Sequence, residues 1–125
     1  MGHLGFTPQS VHAFGGHRVQ GKGEAGDKVL DQARRLQEAG VFAIVLELVP
    51  DELAARITQE LEVPTVGIGA GPGCDGQIQV YHDVLGLSAQ KFRHAKRYVE
   101  GRSTFEKGLS EYVQDVKNDK FRPGN

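Results

Sequence analysis

The chain has no tryptophan, one methionine and one cysteine. A single thiol, Cys74, forms no internal disulfide and builds no thiolate metal site by itself. No neighbouring base or helix start marks it as reactive, so it reads as inert. Long apolar runs are missing too, and none approaches the roughly 18 residues of a membrane span. Met1 is followed by Gly2 and His3 rather than by a basic and then apolar leader, so no signal peptide is expected. Without a disulfide framework, a reducing, cytoplasmic setting is expected. Strong net charge is also absent: 15 basic residues stand against 16 acidic ones, for −1. That balance argues against a general nucleic-acid or membrane-surface binder. At 125 residues, the chain allows one small domain and is near half of a (β/α)₈ barrel, which needs about 250.

Glycine, by contrast, is plentiful, with 17 residues, and it punctuates an alternation of helix and strand signals. Residues 1–26 read as a short extended piece and a long loop carrying Gly15-Gly16 and Gly21-Lys22-Gly23; such a loop is usually functional or disordered. A helix follows, with Asp27 as N-cap, Val29, Leu30, Ala33 and Leu36 on one face, and Gly40 as the C-terminal stop. The apolar run Val41 to Leu46 suits a parallel strand covered on both faces, and it ends in Glu47. Pro50 fits a first helical turn. Leu53, Ala54, Ile57 and Leu61 stripe the second helix, and 63–69 form the next strand.

Strand, helix and strand within about 30 residues make a right-handed βαβ unit. Beyond the glycine-rich segment 70–76, residues 77–81 read as short extended structure, 82–87 as a brief helix and 88–101 as mostly irregular. A last helix spans 103–117. Ser103 and Glu106 suggest a capping box, and Phe105, Leu109, Tyr112, Val113 and Val116 share a face. The tail 121–125 should fray. Charge is uneven, −5 over 1–90 and +4 over 91–125; a solvated helix face explains this more simply than a partner contact.

Glu47 is the most informative residue. In parallel α/β folds the carboxyl ends of the strands form the active face. A carboxylate there suits a general base, although capping the next helix or pairing with a surface arginine also explains it. Gly67 to Gly73 follows a strand and lets backbone approach a ligand. It lacks a clean G-x-G-x-x-G and the Lys-Ser/Thr of a P-loop, and a turn needing positive φ accounts for it on composition. His3, His12, His17, His82 and His94 show no metal-ligand spacing. His3 lies where a strand-end loop can present it. His82-Asp83 resembles an acid/base pair, with Asp83 as a helix N-cap the simpler reading.

Met1-Gly2-His3-Leu4-Gly5-Phe6-Thr7-Pro8-Gln9-Ser10 resembles the MGHxGxTPQS motif of the ketopantoate hydroxymethyltransferase family. Phe14 to Gly21 resembles its next motif, with His17 at a variable position where the family usually has tyrosine or a similar residue. Leu36 to Gly40, Val45-Leu46-Glu47-Leu48-Val49-Pro50, Gly67 to Gln77 and His82 to Leu87 follow in the family's order; residues 88–125 match more loosely. The resemblance implies a (βα)₈ barrel that assembles into homo-oligomeric rings, often decamers. It implies transfer of a hydroxymethyl group from 5,10-methylenetetrahydrofolate to the keto acid 3-methyl-2-oxobutanoate, giving 2-dehydropantoate on the way to pantothenate. Mg²⁺ would bind the keto acid and stabilise its enolate as a Lewis acid.

Carried over by position, Glu47 matches the proton-accepting glutamate and His3 a substrate-binding histidine. The loop with Gly69, Gly71, Gly73 and Asp75 lies on the folate-facing side by analogy. The family's metal-binding Asp, Asp and Glu, its substrate-contacting Ser and its active-site Lys belong to the first half of the barrel and have no counterpart in this chain, so no metal ligand is assigned here. The fold expected is therefore α/β: the C-terminal half of a (βα)₈ barrel, about four βα units over residues 1–125, with 103–117 as an oligomer contact. Such a half is expected to pair with an N-terminal half or to self-associate, and to be inactive alone. The alternatives are a non-catalytic oligomerisation or regulatory remnant, and a small flavodoxin-like domain binding an anion at Gly69–Gly76.

Overall fold

The computed structural model describes residues 1–10, 12, 19–122 and 124. The motif segment around His17, Gly15-Gly16 included, lies outside them, as do two residues of the tail. The chain divides into two compact units, Met1–Ile78 and Gln79–Asn125.

The first unit carries β1 (Gly2–Gly5), a 3₁₀ turn at Pro8–Ser10, α1 (Ala25–Glu38), β2 (Ile44–Glu47), α2 (Asp51–Glu60), β3 (Thr65–Ile68) and β4 (Gly76–Gln77). The strands form one parallel sheet in the order β1-β2-β3-β4. The α/β class expected from the alternating patterns is what forms. Val29, Leu30 and Ala33 of α1, and Leu53, Ala54 and Ile57 of α2, join Ile44 and Leu46 of β2 in one core. Ile44 and Leu46 point to the same side of their strand, so both helices cover the same face of the sheet. Sequential strand order with helices on one face is the winding of successive barrel units. A flavodoxin-like domain reverses its strand order and covers both faces, which sets that alternative aside. Each Ile or Leu fully removed from water here contributes roughly 1.5–3 kcal/mol.

The pattern of burial corrects several boundaries. The apolar run beginning at Val41 is not strand throughout. Gly40 takes φ +86°, and Val41 N–H donates back to the Leu36 carbonyl at 3.3 Å. The chain is still leaving α1 there, and Phe42 is 71% exposed. Nor is β2 covered on both faces: Val45 and Glu47 alternate with the buried Ile44 and Leu46 and are only partly buried. Asp27 sits within the first turn of α1, whose N-cap is Glu24. It pairs instead with Arg56 of α2 at 2.7 Å, a hydrogen bond that holds the guanidinium pKa above its ordinary value. Pro50 stands one residue before α2, as its N-cap.

Among the described residues of this unit, two of the three strand connections carry a helix. The β3–β4 connection is the seven-residue loop 69–75, too short for a helix. Glycine makes the loop possible. Gly69 and Gly71 take φ +62° and +72°. A Cβ at Gly71 would collide with the Asp51 side chain, and one at Gly73 would stand 2.7 Å from Ala55 Cβ.

The second unit holds α3 (Tyr81–Val84), an irregular stretch and α4 (Gly101–Lys117). Asp83 is not an N-cap; that position is Val80. Its buried carboxylate accepts from Ser88 Oγ at 2.7 Å. Arg97 ties the irregular stretch by donating to the Ser88 and Gln90 carbonyls at 2.7 and 3.0 Å. α4 starts two residues earlier than its capping signals suggest, because Gly101 and Arg102 N–H groups already donate to the Leu85 and Gly86 carbonyls. Ser103 Oγ therefore bonds back to the Glu100 carbonyl from inside the helix, and Glu106 pairs with Arg102. Among the described residues no helix is long and apolar enough to cross a membrane.

Candidate functional site

Parallel pairing sets residues of neighbouring strands level with one another. His3 is level with Val45 and Val66, and Gly5 with Glu47 and Ile68. Level residues of parallel strands point to the same side, and so do residues two apart. His3, Val45, Glu47 and Val66 therefore share the face opposite α1 and α2. His3 lies within β1 rather than in a strand-end loop. From there it reaches diagonally across to Glu47, a separation that long side chains span. With the Nε2-protonated tautomer, His3 Nε2–H donates to Glu47 Oε2 at 3.0 Å. The Glu47 side chain is 14% exposed and that of His3 33%. The second carboxylate oxygen, Oε1, has no hydrogen-bond partner among the described residues.

The surrounding backbone holds Glu47 at the carboxyl end of β2. Phe6 N–H donates to the Glu47 carbonyl at 2.8 Å and Leu48 N–H to the Ile68 carbonyl at 2.9 Å. Gly5 has to be glycine, since its φ is +88° and a Cβ would collide with the Glu47 carbonyl oxygen. A half-buried carboxylate with one oxygen held and the other free is chemically equipped to take a proton. Among the described residues no arginine pairs with it, and it does not cap α2; its partner is His3.

The other singled-out residues are placed differently. Asp75 stands at the opposite, amino end of β3. Its Oδ2 accepts from Thr65 N–H at 2.8 Å and from Thr65 Oγ1 at 3.3 Å. Thr65 is fully buried and also bonds Thr58 Oγ1 at 2.7 Å. Gly69, Gly71 and Gly73 follow the carboxyl end of β3, where the latter two admit α2. Cys74 packs over Gly67, whose absent Cβ would stand 3.0 Å from the Sγ. His82 is exposed and lies against the Tyr81 ring at 4.0 Å, while Asp83 bonds Ser88, so the two are not an acid/base pair. A cavity of about 500 Å³ opens between the starts of α1 and α2, lined by Lys22 and Arg56 but also by Asp27 and Glu52.

Mg²⁺ requires near-octahedral oxygen ligands. Among the described residues no three His, Cys, Asp or Glu side chains gather into a metal-binding group. Glu47 offers one carboxylate, with one oxygen already on His3. The donor set of the described residues does not make a magnesium site.

Sequence reasoning found Glu47 from its place after an apolar run and His3 from its motif. It missed Leu48, whose backbone stands at φ +49° immediately after Glu47. No signal in the sequence marks it, because leucine is not a residue associated with that conformation.

Comparison with known proteins places these residues in a family. The model of the family described as ketopantoate hydroxymethyltransferase matches residues 1–124. Relatives named 3-methyl-2-oxobutanoate hydroxymethyltransferase include those of Trichlorobacter lovleyi, 50% identical over 97% of this chain and 46% of the relative, and of Carboxydothermus hydrogenoformans, 51% identical over 97% and 45%. A third, from Chloroflexus aurantiacus, is 55% identical over 99% of this chain and 44% of the relative. The chain thus spans a little under half the length of these curated relatives. It belongs to the ketopantoate hydroxymethyltransferase family.

Proposed function

We propose that this chain supplies the proton-accepting half of a hydroxymethyltransferase site acting on 3-methyl-2-oxobutanoate, with 5,10-methylenetetrahydrofolate as the one-carbon donor and 2-dehydropantoate as the product. The observation that carries the reading is the His3–Glu47 pair, 3.0 Å apart, on the sheet face opposite α1 and α2 in a chain from this family. Glu47 Oε1 takes the proton from the substrate carbon next to the ketone. His3 holds Oε2 through that step, so the carboxylate keeps its orientation as it changes charge. At the donor's methylene carbon, one carbon–carbon bond to the resulting carbanion and one carbon–oxygen bond from water form as both carbon–nitrogen bonds to the folate break; the two folate nitrogens take up one proton from the water and the one that Glu47 removed.

The magnesium expected from the family takes its ligands from residues outside this chain. The glycine loop 69–73, which follows β3, faces the folate by analogy with the family. Asp75, bound to Thr65 at the far end of that strand, serves to hold the loop. The surroundings are a reducing cytoplasm, and the working unit is an oligomer in which a complete barrel is present. A non-catalytic remnant is the second reading; the retained His3–Glu47 geometry favours the first, because an assembly piece has no use for it.

The test is a complete barrel in which residues 1–125 follow the first half of the Chloroflexus aurantiacus relative. Glu47→Gln should abolish exchange of the substrate's proton next to the ketone while leaving Mg²⁺ binding intact. Retained exchange would remove Glu47 as the base. For the remnant reading, chain 1–125 mixed with a full-length relative should co-assemble whether or not Glu47 is intact.

A further inference from the structure

Three neighbouring strands end on a left-handed backbone. Gly5 closes β1 at φ +88°, Leu48 follows β2 at φ +49°, and Gly69 follows β3 at φ +62°. The same conformation therefore recurs at three adjacent strand ends. Glycine enters it freely; a residue with a branched side chain enters it only when the surroundings hold it there. Leu48 is the one of the three that is not glycine, and it directly follows Glu47.

The surroundings do hold it. Leu48 N–H donates to the Ile68 carbonyl at 2.9 Å, and its own carbonyl accepts from Gln20 N–H at 2.9 Å. On the other flank, the Glu47 carbonyl accepts from Phe6 N–H at 2.8 Å. Glu47 is therefore fixed by backbone bonds to β1 on one side and, through Leu48, to β3 on the other. Strained backbone of this kind concentrates at sites where it fixes a functional geometry.

We propose that Leu48 is a positioning residue, acting through its left-handed backbone and not through its side chain, which keeps the Glu47 carboxylate against His3 with Oε1 free. The proposal rests on Glu47 being the base. Backbone and side-chain roles predict opposite orders for simple substitutions. Isoleucine preserves the apolar volume of leucine, but its β-branch resists the left-handed region. Glycine and asparagine discard that volume and accept the conformation.

The experiment measures proton exchange on 3-methyl-2-oxobutanoate in the complete barrel described above, with kcat and KM separated and folding followed by circular dichroism. Leu48→Ile should lower kcat by about 100-fold, the scale of a small misplacement of a reacting group, with KM little changed. Leu48→Gly and Leu48→Asn should stay well above Leu48→Ile. Should Leu48→Ile fail to fold, Leu48→Ala replaces it, and it should fall below Leu48→Gly. The reverse order, or equal loss in all variants, overturns the proposal. Exchange retained in Glu47→Gln sinks the base assignment instead, so the two failures are told apart.

Discussion

His3 holds one oxygen of Glu47 and leaves the other free. Removing the ring should therefore affect rate more than stability, because His3 is a third exposed and belongs to no apolar core. His3→Leu in the complete barrel is expected to cost up to about 100-fold in proton exchange, with an unfolding midpoint close to that of the unaltered protein. A matching fall in stability would recast His3 as a structural residue. Asp75 presents the opposite case. Its carboxylate accepts from the backbone and hydroxyl of fully buried Thr65. Asp75→Ala leaves those donors short and should destabilise by about 1–3 kcal/mol, read by urea unfolding, while exchange per folded molecule stays unchanged. Loss of folate-dependent turnover at full stability would assign Asp75 to the ligand instead. The sequence offered Glu47 and Asp75 alike as site carboxylates, the one after an apolar run and the other in a glycine-rich loop. Register separates them: Glu47 ends its strand, whereas Asp75 turns back ten residues to the start of β3. Glu47 was legible because an apolar run points to a strand end. Its bond to His3 was not, because a partner 44 residues away depends on how β1 and β2 align.

At the scale of elements, local patterning located the helices and strands, and tertiary bonds shifted their ends. The Val29, Leu30 and Ala33 face of α1 packs as its spacing requires. The first turn does not, since Asp27 serves Arg56 across to α2 rather than its own helix. Likewise the Ser103 and Glu106 signals sit inside α4, whose start is set by Gly101 and Arg102 N–H donating to the Leu85 and Gly86 carbonyls. Glycine positions were legible as turns, while the reason for each lay in a neighbouring element. Gly5 illustrates the cost of ignoring that neighbour. A side chain there faces φ +88° and collides with the Glu47 carbonyl. Gly5→Ala should cost at least about 3 kcal/mol, combining backbone strain with displacement of the β2 end. It should also reduce exchange in whatever fraction stays folded, since Phe6 can then no longer bond Glu47. Normal stability in the Gly5→Ala variant would show that the β1 end relaxes independently of β2.

At the scale of the whole molecule, each unit displays apolar surface that its own residues leave open. In the first unit, α1 and α2 cover one face of the sheet, no helix among that unit's described residues packs on the face carrying His3, Val45, Glu47 and Val66, and β1 is the edge strand of the described sheet. In the second, the whole stripe of α4 is exposed, with Phe105 at 62% and Leu109 at 66%. Patches of this kind mark surfaces that associate, and an open strand edge invites pairing with another chain. The helix stripe was legible from its spacing, but what covers it was not, because periodicity reports an apolar face and not a partner. Purified chain 1–125 should therefore self-associate in sedimentation runs, and Leu109→Lys, which replaces an exposed apolar group without touching the core of the first unit, should shift it toward smaller species. It should also give no turnover by itself. The His3–Glu47 pair is present, but the carboxylates expected to hold magnesium are outside the chain. Adding the separately produced first half of a relative should restore turnover, and the gain should vanish with Glu47→Gln in this chain. Turnover by the purified chain alone would show that His3, Glu47 and the residues beside them form a sufficient site, and that the remaining half of the relatives serves assembly rather than chemistry.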